Sequence, residues 1–213
     1  MDFSVVIPVL NEASSLRELT DRLVRVLQSL GGDFEILFVD DGSTDATRET
    51  LKQIHAAIPQ VKGYCLRTHC GKAFALMTGF HYAQGRIVIT LDGDLQDPPE
   101  EIPKLIAKLR EGYDLVNGWK QRRRDSRFRV GGSHLFNRVV SYLGGIRLHD
   151  FNCGMKVYQA AVAKNLTLFG QNHRFIPLLA HFAGYKIAEV AMQHERRKYG
   201  RSRYRAFRYE GLP

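Results

Sequence analysis

The chain opens on an alternation that leaves few folds available to it. Short β-rich runs, "FSVVIPV", "FEILFVD", "VKGYCLR" and "RIVITLD", are separated by segments in which apolar residues recur at helical spacing. In the first such segment Leu16, Leu19, Leu23, Val26, Leu27 and Leu30 form one stripe, and the pattern stops at Gly31-Gly32. Further helices are expected from about Thr44 to Ala57, with Ser43 or Asp45 as cap, over "KAFALMTGFHYA", and over "DPPEEIPKLIAKLREG", which is entered through prolines. Strict alternation of this kind predicts an α/β fold, a mostly parallel sheet flanked by helices on both faces. In such sheets ligands bind at the carboxyl ends of the strands. At 213 residues the chain is long enough to bury its own core, and it reads as a single domain over 1–213.

Acid collects at those strand ends. "TLDGDLQDPPE" follows the apolar run "RIVI", and Asp92 and Asp94 are two apart, so both carboxylates can face one side while Gly93 lets the backbone turn. Gln96 is next in phase. Hard oxygens in this pattern suit Mg²⁺ or Mn²⁺, which keep positions open for phosphate oxygens, whereas a solvated Asp-rich turn is the plainer alternative. Asp40 and Asp41 end another strand, where carboxylates can accept hydrogen bonds from a nucleobase or ribose. Pro8 and Glu12 fall at the same edge, and Lys72, opening a helix after Gly71, can offer a cation to a phosphate.

Charge divides the chain. Residues 1–116 carry 12 Lys/Arg against 17 Asp/Glu, whereas residues 117–213 carry 19 against 5, a distribution that suggests a polyanionic partner. The basic loop "KQRRRDSRFR" leads into a segment with Phe128, Leu135, Phe136, Val139, Val140 and Leu143 on one stripe. Two readings stand: a core helix with a solvated face, or an interfacial helix whose basic flank meets anionic head groups. Nucleic acid is disfavoured, because the acidic strand edge would repel it. Cys65, Cys70 and Cys153 form neither a CxxC pair nor an even set, which argues against a disulfide framework and a zinc knuckle and for a reducing compartment. The histidines lack an HExxH pattern, so His149, His173 and His194 read as polar packing residues.

Together "VVIPVLNEASSL", "FVDDGSTDAT", "GKAFALMTGF", "GRIVITLDGDLQDPPE" and "RKYGRSRY" resemble the family 2 glycosyltransferases, in the branch of dolichyl-phosphate mannose synthases and bacterial polyprenyl-phosphate glycosyltransferases. The resemblance spans nearly the whole chain. It implies a GT-A fold that takes a hexose from a nucleotide diphosphate sugar and transfers it, with inversion and a bound Mg²⁺ or Mn²⁺, to a dolichyl- or undecaprenyl-type phosphate. The work would be done at the cytoplasmic face of a membrane, with 1–116 as the donor half and 117–213 as the acceptor and membrane-facing half. Pro8, Glu12, Asp40 and Asp41 would then serve the nucleoside, with Lys72 beside them, and Asp92 the ribose and metal. Asp94 and Gln96 would be metal ligands; Lys120, Arg129 and Ser133 would hold the acceptor phosphate; Arg197, Gly200 and Ser202 would close over the diphosphate. Asp94 and Arg197 would carry the catalytic stabilisation. Asp150 has two readings, as an orienting or basic carboxylate or as a buried group bonded to backbone.

Leu10 stands where the family commonly has tyrosine and Arg203 where it often has lysine, while "HDFNCGMKVY" is closer to the bacterial branch, which favours a donor other than GDP-mannose. Relatives in this branch commonly continue into membrane helices, and the chain stops about where the first would begin. Assembly into a homo-oligomer stays open. The alternative function is a metal-dependent transferase with a soluble glycan or protein hydroxyl acceptor, which would need a general base.

Overall fold

The computed structural model describes residues 1–120, 144–195 and 198–199. In chain order its elements are β1 (Phe3–Val9), α1 (Leu16–Leu30), β2 (Phe34–Asp40), α2 (Thr47–Ala57), β3 (Val61–Cys65), α3 (Lys72–Tyr82), β4 (Ile87–Thr90), a 3-10 turn (Pro99–Glu101), α4 (Ile102–Leu109), β5 (Leu115–Lys120), β6 (Lys156–Gln159), α5 (Ala160–Asn165), a second 3-10 turn (Asn172–Phe175), α6 (Ile176–Phe182) and β7 (Ile187–Met192). Among the described residues seven strands form one sheet in the order β3-β2-β1-β4-β6-β5-β7. Only β6 runs against its neighbours, antiparallel to both β4 and β5. The expected mostly parallel sheet is therefore present.

Side-chain alternation on the strands builds a core on each face. Val5, Ile7 and Val9 of β1 join Ile36 and Phe38 of β2 against Leu19, Leu23 and Leu27 of α1 and Leu105, Ile106 and Leu109 of α4. Val6, Leu37 and Val88 point the other way, to Leu76 and Phe80 of α3, Val162 of α5 and Ala180 of α6. All seven residues of β1 are buried, which is why its sequence is apolar on both faces rather than alternating, with Ser4 as the exception, its hydroxyl donating to Glu35 Oε1 at 2.6 Å. Each large aliphatic side chain removed from water in this way contributes about 1.5–3 kcal/mol.

Two local expectations need correction. Ser43 does not cap α2, which starts four residues later at Thr47; its Oγ accepts the Asn11 N–H at 2.7 Å and so ties the loop after β1 to the loop after β2. Asp45 is not the cap either, since Ala46 holds that position, but from just outside the helix it accepts from Thr47 N at 3.0 Å and Thr47 Oγ1 at 2.6 Å. The segment after Pro98 is a 3-10 turn followed by a short helix from Ile102, not one continuous helix.

The reversed strand shapes the site. Lys156, first in β6, pairs in register with Thr90, last in β4, and with Asn117 of β5. The chain around 150–156 is thereby brought to the edge where the parallel strands end.

Candidate active site

Beyond Thr90 the backbone keeps a period of two: Leu91, Gly93, Leu95 and Asp97 are buried, while Asp92, Asp94 and Gln96 are partly exposed. The two acids and the amide therefore share a side, as their spacing leads one to expect. Leu95 adopts φ 60°, a left-handed conformation costly for a leucine, and its side chain is fully buried. Its anchor fixes the turn between Asp94 and Gln96. Ser15 Oγ donates to Gly93 O at 2.7 Å, and Gln96 N donates to Asp94 Oδ1 at 3.1 Å.

Asp92 lies 2.5 Å from Lys72 Nζ, at the start of α3. Burial pushes its carboxyl up, but the Lys72 ammonium outweighs this and holds it below the usual carboxylate range. A Cβ on Gly154 would come within 2.5 Å of Asp92 Oδ2, so only glycine lets the chain before β6 approach this close. Pro8, Lys72, Asp92, Lys156 and His173 line the resulting cleft. Lys156 is 3 % exposed and donates to Cys153 O; burial lowers its ammonium from the ordinary lysine value. His173 is held down to about 4, first by burial and then by Lys72, and is neutral at pH 7.

Asp40 and Asp41 end β2 as expected, yet both are fully buried. Asp40 accepts from Ser43 N at 2.9 Å and pairs with Arg48 Nε at 2.9 Å. Asp41 accepts from the backbone of Cys70 at 2.7 Å and of Gly71 at 3.0 Å, and lies 2.8 Å from His69 Nδ1. These acids organise the loop that leads into α3. Gly42, at φ 77°, packs where a Cβ would lie 2.6 Å from His69 N. Glu12 N donates to Thr47 Oγ1 at 3.0 Å, which holds the loop after β1 against α2.

At the far side of the acidic loop sits a cluster that sequence reasoning missed. Asp97 is fully buried and pairs with Lys120 Nζ at 2.7 Å; His194, its side chain 4 % exposed, lies with Nδ1 3.4 Å from the same oxygen. Lys120, expected at an acceptor phosphate, is thus held by Asp97. Asp97 is kept well below the usual carboxylate range, since the Lys120 and His194 contacts outweigh the upward push of burial. Asp150 is 2 % exposed, and its Oδ1 accepts Asn152 N at 3.1 Å. That is the backbone-bonded one of its two readings. His149 is exposed and stacks on Trp119 with ring centroids 4.0 Å apart. Arg129, Ser133, Arg197, Gly200 and Ser202, and the amphipathic stripe from Phe128 to Leu143, lie outside the described residues.

No three His, Cys, Asp or Glu side chains converge as a metal cluster among the described residues. What shares one side of the acidic loop is two carboxylates and one amide. That donor set fits a hard divalent ion that keeps several positions for water and phosphate oxygens, and it does not fit an enclosed structural zinc. No described helix is long and apolar enough to cross a membrane.

Residues 4–167 match the family model described as glycosyl transferase family 2. Among solved structures, the glucosyl-3-phosphoglycerate synthase of Mycobacterium tuberculosis in complex with Mn²⁺, UDP and glucosyl-3-phosphoglycerate is similar at TM-score 0.71 and 22 % identity, over 93 % of this chain and 73 % of that one. The same enzyme with Mn²⁺ and UDP-glucose gives 0.68 and 23 %, over 93 % and 72 %. With Mn²⁺, UDP and phosphoglyceric acid it gives 0.71 and 22 %, again over 93 % and 72 %.

Proposed function

The chain belongs to glycosyl transferase family 2, and from that premise we propose that it is an inverting hexosyltransferase moving sugar from a nucleotide diphosphate to the phosphate of a polyprenol at a membrane surface. Asp94 and Gln96, with Asp92 beside them, would hold Mg²⁺ or Mn²⁺, which when bound supplies positive charge against the diphosphate leaving group. Lys72 brings a further cation to that edge, and Asp41 shapes the nucleoside pocket by fixing the 69–71 loop. We assign Pro8, Glu12 and Asp40 to the same half, and Arg129, Ser133, Arg197, Gly200 and Ser202 to the acceptor and closing elements of the basic half.

The observation that carries the phosphate acceptor is the state of Asp150. A hydroxyl acceptor needs a base, and Asp150, which the sequence offers for that role beside other carboxylates, is buried with its Oδ1 accepting Asn152 N. A phosphate with a second pKa of about 6 is already largely ionised at neutral pH and needs none. The charge of residues 117–213 and the exposed Phe169 and Phe182 of the same half support a lipid surface as the place of reaction. A second reading, a soluble phosphorylated acceptor, is favoured by the phosphoglyceric acid in the similar structure described above.

The test supplies Mn²⁺ and labelled UDP- and GDP-sugars with either a short polyprenyl phosphate or phosphoglyceric acid. Label passing into organic solvent is expected. Label confined to the water-soluble acceptor would overturn the lipid reading and promote the second. Gly154→Ala should lower turnover on the productive acceptor by roughly tenfold or more, because the added methyl displaces the Asp92 carboxylate. Turnover at the wild-type level in that variant would remove Asp92 from the site.

A further inference from the structure

The acidic loop is tied to the chain beyond β7. Glu195 N donates to Gln96 O at 2.9 Å, and the Gln96 Nε2 and His194 Nε2 atoms are 3.5 Å apart. On its other side the His194 ring faces Asp97 Oδ1 at 3.4 Å. The approach of Nδ1 to Asp97 falls outside hydrogen-bond geometry and is an electrostatic contact, whereas the Gln96 contact sits at the outer limit of a hydrogen bond. It is the amide nitrogen of Gln96 that faces the ring, and an NH₂ group donates only, so in this arrangement His194 Nε2 is the acceptor.

We propose that His194 is a positioning residue for the metal site: oriented by Asp97, it takes the Gln96 NH₂ group and so commits the Gln96 carbonyl oxygen to the ion. The inference rests on the reading of Asp94 and Gln96 as metal ligands given above. A glutamine amide presents oxygen or nitrogen at nearly equal steric cost, and only the oxygen can ligate a hard cation. Without a partner on the nitrogen the amide would sample both orientations. Burial of the ring, and of Asp97 behind it, gives the contact a fixed frame. Groups that orient a ligand from behind typically alter metal affinity ten- to a hundredfold when replaced.

Mn²⁺ binding to the whole chain is measured by titration calorimetry and by the electron paramagnetic resonance of unbound Mn²⁺, with UDP and with GDP in parallel. His194→Leu should weaken Mn²⁺ about tenfold or more while metal-free nucleotide affinity holds, and His194→Gln, which restores an acceptor oxygen, should recover most of the loss. In a Gln96→Ala background His194→Leu should have no further effect. Thermal melts of each variant report the fold separately. Undiminished Mn²⁺ affinity in folded His194→Leu would overturn the proposal, as would an undiminished effect of that change in the Gln96→Ala background. Wild-type protein that binds no Mn²⁺ with either nucleotide would instead overturn the metal reading, and the proposal with it.

Discussion

Asp94→Ala is expected to abolish metal-dependent transfer, lowering turnover by about a thousandfold or more, while the protein stays folded. The size follows from the work assigned to the site: loss of one preorganised group that stabilises developing charge typically costs a hundred- to a thousandfold, and a lost metal ligand removes the ion's share as well. The structural cost is small by comparison. Asp94 is partly exposed, and the hydrogen bond from Gln96 N to Asp94 Oδ1 is worth on the order of 1 kcal/mol. Leu95 remains to anchor the turn from below. Activity measured across a Mn²⁺ titration, with a thermal melt beside it, checks both parts. Near-normal turnover at any Mn²⁺ concentration would remove Asp94 from the chemistry, and a collapse of the melt would make it a structural residue.

Residues 1–116 were legible because β1, β2 and β4 are largely apolar runs bounded by turn residues, and because a period of two carries Asp92, Asp94 and Gln96 to one side. The strand β6 was not. "KVYQ" is four residues long and begins with a lysine, and what makes it a strand is the slot between β4 and β5. Local propensity is silent where pairing decides. The same limit hid the Asp97 cluster. Asp97 and Lys120 sit on different segments, and His194 comes to them because β5 and β7 are parallel with Lys120 opposite Met192. A sequence shows that Asp97 continues an acidic run; only the register shows that a lysine and a histidine meet it. Asp40 and Asp41 teach the converse. Their place at the strand end was readable, whereas their burial and their bonds to Arg48 and to the 69–71 loop depend on α2 and that loop folding back over them.

The buried pair makes the largest stability prediction. Asp97 is fully buried and the Lys120 side chain is 14 % exposed, with the charged atoms 2.7 Å apart. Such a pair is weak evidence of net stabilisation, because desolvation offsets most of the attraction, but removing one member strands the other. Asp97→Ala should therefore cost about 3–5 kcal/mol, on the order of 10 °C in melting temperature for a chain of this size. Lys120→Met should cost a similar amount, since it strands Asp97 instead. The double variant should be far less damaged than the two losses added, because an apolar pair replaces a charged one. Acid gives an independent check. The folded Asp97 carboxyl lies below its unfolded value, so its contribution is fully present above the unfolded pKa of about 4 and is lost as pH falls toward the folded one. Wild-type stability should therefore decline below about pH 4 more steeply than that of the double variant, which lacks this carboxyl. The comparison also settles what Lys120 does. A lysine reserved for an acceptor phosphate would leave the melt unmoved in Lys120→Met and raise the acceptor's Michaelis constant, whereas a lysine that neutralises Asp97 lowers the melt first.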